Sequence, residues 1–165
     1  MRTAMHRTLA VFAFALCLST QVLAGPYEDG DAAYEKGDYA TALQLYRPLA
    51  EQGHMLAQFS LGYMYANGEG LPRDFAEAVR WYRKAADQGN AAAMVNLGLK
   101  YEQGQGVPQD NVQAYMWYAL SAAAYGNVPQ SRDRALKNRD LIAQRMSPGQ
   151  VAQAQKLVQE WKPKN

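Results

Sequence analysis

The feature that most constrains this chain is that it matches itself at one fixed offset. Gly62 and Gly98, Gly70 and Gly106, Asp74 and Asp110, Ala78 and Ala114, Trp81 and Trp117, and Tyr82 and Tyr118 all stand 36 residues apart. The same offset runs backwards through Asp38 and Asp74, Ala42 and Ala78, Tyr46 and Tyr82, and Gly53 and Gly89. Aromatic, small, acidic and glycine positions all keep the spacing, so the repeated object is a structural unit and not a biased composition. A period of roughly 20 to 50 residues is the mark of stacked supersecondary units that bury their apolar faces only against one another.

Each unit reads as two helices. Phe75, Ala78, Val79, Tyr82 and Ala85 with Ala86 follow the i, i+3, i+4, i+7 pattern of one helical face. Asp74 with Glu77, and Asp110 with Gln113, have the spacing of a helix N-cap and a reciprocal partner three residues on. Gly53 and Gly89 stand where helices end. The segments Asn67 to Arg73 (NGEGLPR) and Gln103 to Gln109 (QGQGVPQ) break the chain before each second helix. Small residues at 62, 78, 98 and 114 allow tightly crossed helices, and Pro48 is expected to kink or shorten the helix that contains it.

The run from Leu61 and Gly62 through Tyr63, Tyr65, Gly68, Gly70 and Asp74 to Ala78, Trp81, Tyr82, Ala85, Ala86 and Gly89 is similar to the Sel-one-like repeat, a longer-looped relative of the tetratricopeptide repeat. Residues 97–125 match the same pattern from Leu97 and Gly98 to Trp117 and Tyr118, departing at Ser121 and Tyr125. The first unit, from Gly30 and Tyr34 through Ala42 to Tyr46, has the shorter tetratricopeptide loop: Gly37 to Asp38 spans 1 residue where Gly68 to Asp74 spans 6. The resemblance implies an all-α chain, a right-handed α/α solenoid of about four helix pairs, with repeats at approximately 27–53, 54–89 and 90–125. It also implies that the first helix of each pair lines a concave groove, which would place Tyr34, Phe59, Tyr63, Val95, Leu99 and Glu102 there as peptide contacts.

The final segment differs. Residues 126–165 hold eight basic and three acidic side chains, a net of +5, whereas residues 25–125 hold seven and twelve, a net of −5. Ala135, Ile142 and Met146, then Val151, Ala154, Val158 and Trp161, give two helical stripes separated by Ser147, Pro148 and Gln150, which form an N-cap, a first-turn proline and a capping-box partner. This reads as a diverged capping pair.

Residues 1–24 read as an export signal. Arg2, His6 and Arg7 give a basic start, Leu9 to Leu18 is an apolar run too short to span a bilayer, and Val22, Leu23 and Ala24 make a small-residue cleavage site, with cleavage expected after Ala24. The alternatives are an uncleaved anchor helix, which polar Ser19, Thr20 and Gln21 disfavour, and a lipid on Cys17, which bulky Leu16 just before it disfavours. A periplasmic or secreted protein follows from the signal. Removing those 24 residues leaves 141, with 15 basic and 15 acidic side chains, no cysteine and His54 as the one histidine. Such a chain needs packing, not disulfides, for stability, and lacks the basic surplus of a nucleic-acid binder.

The catalytic inventory is thin. One histidine and no cysteine exclude a histidine-rich zinc site and a Cys–His dyad. Ser60, Ser121, Ser131 and Ser147 lie in neither Ser-x-x-Lys nor Gly-x-Ser-x-Gly. No Lys-Ser/Thr follows the Gly-x-Gly pairs at 68/70 and 104/106, so they read as turns. Glu28, Asp29, Asp31 and Glu35 read as a solvated acidic face. No catalytic residue, cofactor or metal is expected, and no membrane span after signal cleavage. The leading reading is a non-enzymatic adaptor for a protein or peptide carrying some positive charge, with its basic end free to touch anionic envelope components. Two alternatives stand beside it: an envelope enzyme or small-ligand binder using carboxylates such as Glu69, Asp74 or Glu102, and a structural subunit of an envelope complex.

Overall fold

A computed structural model describes residues 25–164; the export-signal reading of residues 1–24 falls outside them. The described residues form α1 (Pro26–Glu35), α2 (Tyr39–Glu51), α3 (Met55–Asn67), α4 (Phe75–Asp87), α5 (Ala91–Gln103), α6 (Asn111–Tyr125), α7 (Pro129–Ala143) and α8 (Pro148–Glu160), with no strand among them. Each helix from α1 to α6 packs on its successor in the chain, and α8 packs back on α6, giving an α/α solenoid of helix pairs.

The caps follow the repeat. Asp38, Asp74 and Asp110 open the second helices and accept from backbone N–H groups two or three residues on, at 2.9–3.1 Å. His54 and Asn90 open first helices in the same manner, the imidazole Nδ1 of His54 accepting from Ala57 N at 3.2 Å and Asn90 Oδ1 from Ala93 N at 2.8 Å. A cap of this kind contributes about 1 kcal/mol. Among the described residues the reciprocal half of the capping box forms only at Ser147 and Gln150. Glu77 is drawn instead to Arg80, 2.6 Å away. Pro48 does not shorten its helix: α2 and α4 both span 13 residues.

Small residues on first helices have a more specific task than close backbone approach. A Cβ at Gly30, Gly62 or Gly98 would lie 2.6–2.8 Å from ring carbons of Tyr46, Tyr82 and Tyr118 respectively. Each glycine is therefore the seat of a tyrosine ring from the second helix of its own pair, and those three tyrosines are buried to within 1% of full exclusion from solvent. The second glycine of each long loop does a different job. Gly70 (φ +72°) sits on the Tyr39 carbonyl and Gly106 (φ +75°) on the Phe75 carbonyl, so each loop docks on the first turn of the preceding pair's second helix. Only a residue without Cβ fits both that contact and the positive φ.

Trp81 and Trp117 are both buried, Trp81 in the cluster with Ala57, Leu61 and Met64 and Trp117 in the cluster with Ala78, Ala85 and Ala86. Arg80 and Lys84 lie over the Trp81 ring at 4.4 and 4.3 Å, and Arg83 over Trp117 at 4.9 Å. At the far end α7 and α8 each pack on α6, burying Ala135, Ile142 and Ala154. Trp161 meets the edge of Trp117 at 6.4 Å between ring centres. The chain then reaches back to α4, where Lys164 donates from its backbone N to Asp87 O at 2.7 Å and from Nζ to Asp87 Oδ2 at 2.9 Å. No helix among the described residues is long and apolar enough to cross a membrane.

A candidate peptide groove

The tyrosine seats fix the register of the first helices. Counting from Gly30, Gly62 and Gly98, the position three residues before holds Tyr27, Phe59 and Val95; one after holds Asp31, Tyr63 and Leu99; four after holds Tyr34, Ala66 and Glu102. These positions form one stripe on α1, α3 and α5 beside the buried glycines.

Between α1, α2 and α3 the stripe opens into a pocket of about 340 Å³. Its walls are Tyr27, Tyr34, Tyr46, Phe59 and Tyr63, with Asp31 and Ser60 as polar members. Tyr27 and Tyr46 stand 5.5 Å apart, Phe59 and Tyr63 6.5 Å, and Tyr34 meets Tyr63 nearly edge-on at 6.4 Å. Tyr63 is 41% exposed and forms the lip. Tyr46 donates to Asp31 Oδ1 at 2.5 Å, Tyr34 donates to Glu69 Oε2 at 2.7 Å, and the Tyr27 hydroxyl pairs with Ser60 Oγ at 3.3 Å. Burial first, then the bond to a carboxylate, pushes the Tyr46 and Tyr34 phenols above the ordinary tyrosine range, and burial does the same to Tyr27. All three stay protonated at neutral pH. No lysine or arginine lines the pocket.

Of the six groove residues read from sequence, Tyr34, Phe59 and Tyr63 come together here, and Val95, Leu99 and Glu102 do not join them. Val95 is half-buried on α5 against the cluster of Val112, Tyr115, Tyr118 and Ile142. Leu99 is half-buried farther along the same helix. Glu102 accepts from Tyr118 at 2.8 Å and from Arg145 at 3.0 Å. Sequence reading missed Tyr27, Asp31, Tyr46 and Ser60. The signal was the glycine seat: Gly30 to Gly62 is 32 residues, not 36, because the first loop is short, and aligning on the glycines brings Tyr27 and Asp31 into line with Phe59 and Tyr63.

The carboxylates weighed for catalysis all have structural partners, Glu69 in Tyr34, Asp74 in the α4 cap and Glu102 in Tyr118 and Arg145. Among the described residues no group of three or more His, Cys, Asp or Glu is placed to hold a metal ion.

A solenoid of helix pairs with tyrosine seats, docked glycine loops and an aromatic groove defines a helical-repeat scaffold. The Sel1 repeat family model matches residues 20–54, 56–90 and 91–126, and the chain belongs to the Sel1 repeat family. Among solved structures it is similar to c5321, a protective antigen of uropathogenic Escherichia coli with an SLR fold (31% identity, TM-score 0.74). That match covers 82% of this chain and 29% of the other, so this chain spans under a third of that protein. It is also similar to a Sel1 repeat protein from Oxalobacter formigenes (28% identity, TM-score 0.57, covering 83% of this chain and 61% of that one). No curated protein matches the chain. Sel1 repeat proteins generally mediate protein–protein interactions.

Proposed function

We propose that the protein is a non-enzymatic periplasmic or secreted adaptor that binds a segment of a partner protein in the groove on α1, α3 and α5. The observation that carries this reading is the pocket of about 340 Å³ with five aromatic walls, open to solvent beside the exposed Tyr63. Rigid aromatic side chains around a concave surface are what anchor residues of a partner need. The test is affinity capture from an envelope extract with the wild-type protein beside a Tyr63→Ser, Leu99→Ser double variant, both checked for helicity by circular dichroism. The expected result is a specific protein recovered by wild type and lost with the folded variant. Recovery of the same protein by the variant overturns the groove. Export is tested on the protein recovered from the periplasm or medium, where N-terminal sequencing is expected to read from Gly25.

A further inference from the structure

We propose that the pocket between α1, α2 and α3 takes the guanidinium side chain of an arginine in the partner segment. This rests on the groove reading above and names the chemistry that the groove recognises.

The first argument is what the aromatic faces meet. Four rings outside the pocket are met by the chain's own cations, Arg80 and Lys84 over Trp81, Arg83 over Tyr101 and Trp117, Arg73 and Lys100 over Phe75, all within 4.3–5.5 Å. Among the described residues no lysine or arginine meets the rings of the pocket in this way. Tyr27, Tyr34 and Phe59 pack in part on His54, Tyr39 and Tyr82, and the exposed Tyr63 ring at the lip presents the face most open to a cation from outside.

The second argument is charge. Asp31 lies in the pocket wall with Oδ1 fixed by Tyr46 at 2.5 Å, and no lysine or arginine among the described residues forms an ion pair with it. Glu69 stands just behind Tyr34, and residues 25–125 carry a net −5. A carboxylate beside low-dielectric ring walls attracts a cation more strongly than the same carboxylate in bulk water. The third argument selects the cation. A guanidinium is planar, weakly hydrated, stacks on rings and still presents a fork of donors to a carboxylate, whereas an ammonium keeps its water tightly.

The probes are three capped pentapeptides, alanine at every position but the third, which is arginine, lysine or citrulline. Citrulline has the shape of arginine without its charge. Binding is followed by the NMR signals of the tyrosine rings of the purified protein. The arginine peptide is expected to shift the Tyr27, Tyr34 and Tyr63 signals, and to bind at least about tenfold tighter than the citrulline peptide. Asp31→Asn keeps an acceptor for Tyr46 and is expected to remove that preference. Tyr63→Leu, at the exposed lip, is expected to weaken the arginine peptide while leaving the fold intact. Equal binding of the arginine and citrulline peptides, or a preference unchanged in Asp31→Asn, overturns the arginine inference and leaves an uncharged groove. A lysine peptide as tight as the arginine peptide overturns the choice of guanidinium. Ring signals unmoved by every peptide overturn the inference too, while the capture experiment with Tyr63→Ser, Leu99→Ser decides the groove independently.

Discussion

The first and third helix pairs are built on the same frame and end in different surfaces. In both, a glycine on the first helix seats a tyrosine from the second, Gly30 with Tyr46 and Gly98 with Tyr118, and in both the tyrosine hydroxyl donates to a carboxylate on the first helix, Asp31 or Glu102. At the first pair the stripe beside the glycine is Tyr27, Asp31 and Tyr34, and it opens into a pocket with the next pair. At the third it is Val95, Leu99 and Glu102; Val95 packs against the cluster that α7 and α8 complete, and Arg145 pairs with the carboxylate. The same frame thus borders an aromatic pocket at its first two pairs and a closed, ion-paired surface at its third. The +5 segment that ends the chain supplies both Arg145 to Glu102 and Lys164 to Asp87, so part of its charge serves to fasten it to the acidic body.

If the frame carries stability and the stripe carries binding, the two kinds of substitution separate. Trp117→Ala is expected to have the largest effect. It empties a site 1% exposed, under Trp161 and Arg83, and large aromatic-to-alanine changes in such sites cost about 3–5 kcal/mol. Tyr63→Ser, at 41% exposure, is expected to cost about 1 kcal/mol or less. Urea denaturation of the two variants checks this, and comparable losses would break the division between frame and stripe.

The next effect compares the seats. A Cβ on Gly98 would lie 2.8 Å from Tyr118 Cε1, and one on Gly30 2.6 Å from Tyr46 Cε1. Overpacking costs about 1–3 kcal/mol, and the better helix propensity of alanine returns up to about 1 of it. Gly98→Ala and Gly30→Ala are therefore each expected to lose about 1–2 kcal/mol in urea denaturation. Gly30→Ala alone is expected to alter the pocket, because Tyr46 is both the seated ring and a pocket wall. Loss of ligand-induced tyrosine shifts in Gly30→Ala, with those shifts retained in Gly98→Ala, is the distinguishing readout.

These seats also explain how far the sequence could be read. The helix pairs and their order were legible because Trp81/Trp117, Tyr46/Tyr82/Tyr118 and Asp38/Asp74/Asp110 belong to the second helices and their caps, and each interval between second helices contains one long loop, so the offset stays at 36. First helices lie across the loop, and the shorter first loop moves Gly30 to 32 before Gly62, which hid Tyr27 and Asp31. Glu77 was ambiguous for a different reason: at a helix start a carboxylate satisfies a cap or an i+3 arginine equally well by spacing, and Arg80 is the partner found. That Glu102 is paired with Arg145, 43 residues on, is a tertiary fact with no local signature.

A smaller effect tests how the end of the frame is fastened. Ser147 and Gln150 form the complete capping box at the start of α8, at 2.8 and 3.3 Å. Ser147→Ala is expected to cost about 1 kcal/mol. Because α8 packs on α6 and carries Trp161 to Trp117, the loss should appear as increased hydrogen exchange in α8 before any change in α1 to α3. Uniform loss of protection along the chain would mean that the ends are coupled and that the comparison between them is one of sequence only.

The smallest expected effect on stability is the one that bears most directly on the difference between the two surfaces. Arg145 is 59% exposed at its side chain while Glu102 is 23% exposed, and pairs of this kind contribute about 0–1 kcal/mol. Arg145→Gln should therefore leave the urea midpoint almost unchanged. It should nonetheless change what the third pair presents, since Glu102 would keep its bond from Tyr118 and lose its cation, the state in which Asp31 is found beside Tyr46. If a carboxylate without a basic partner is sufficient to recruit arginine, this variant gains a second, weak site for the arginine peptide, seen as shifts of Tyr118. If aromatic faces are required as well, no second site appears, because Val95 and Leu99 stand where the first groove has Tyr27 or Phe59 and Tyr63. The aromatic content of the two stripes favours the second outcome, and a titration of Arg145→Gln by the same tyrosine signals separates the contribution of charge from that of the rings.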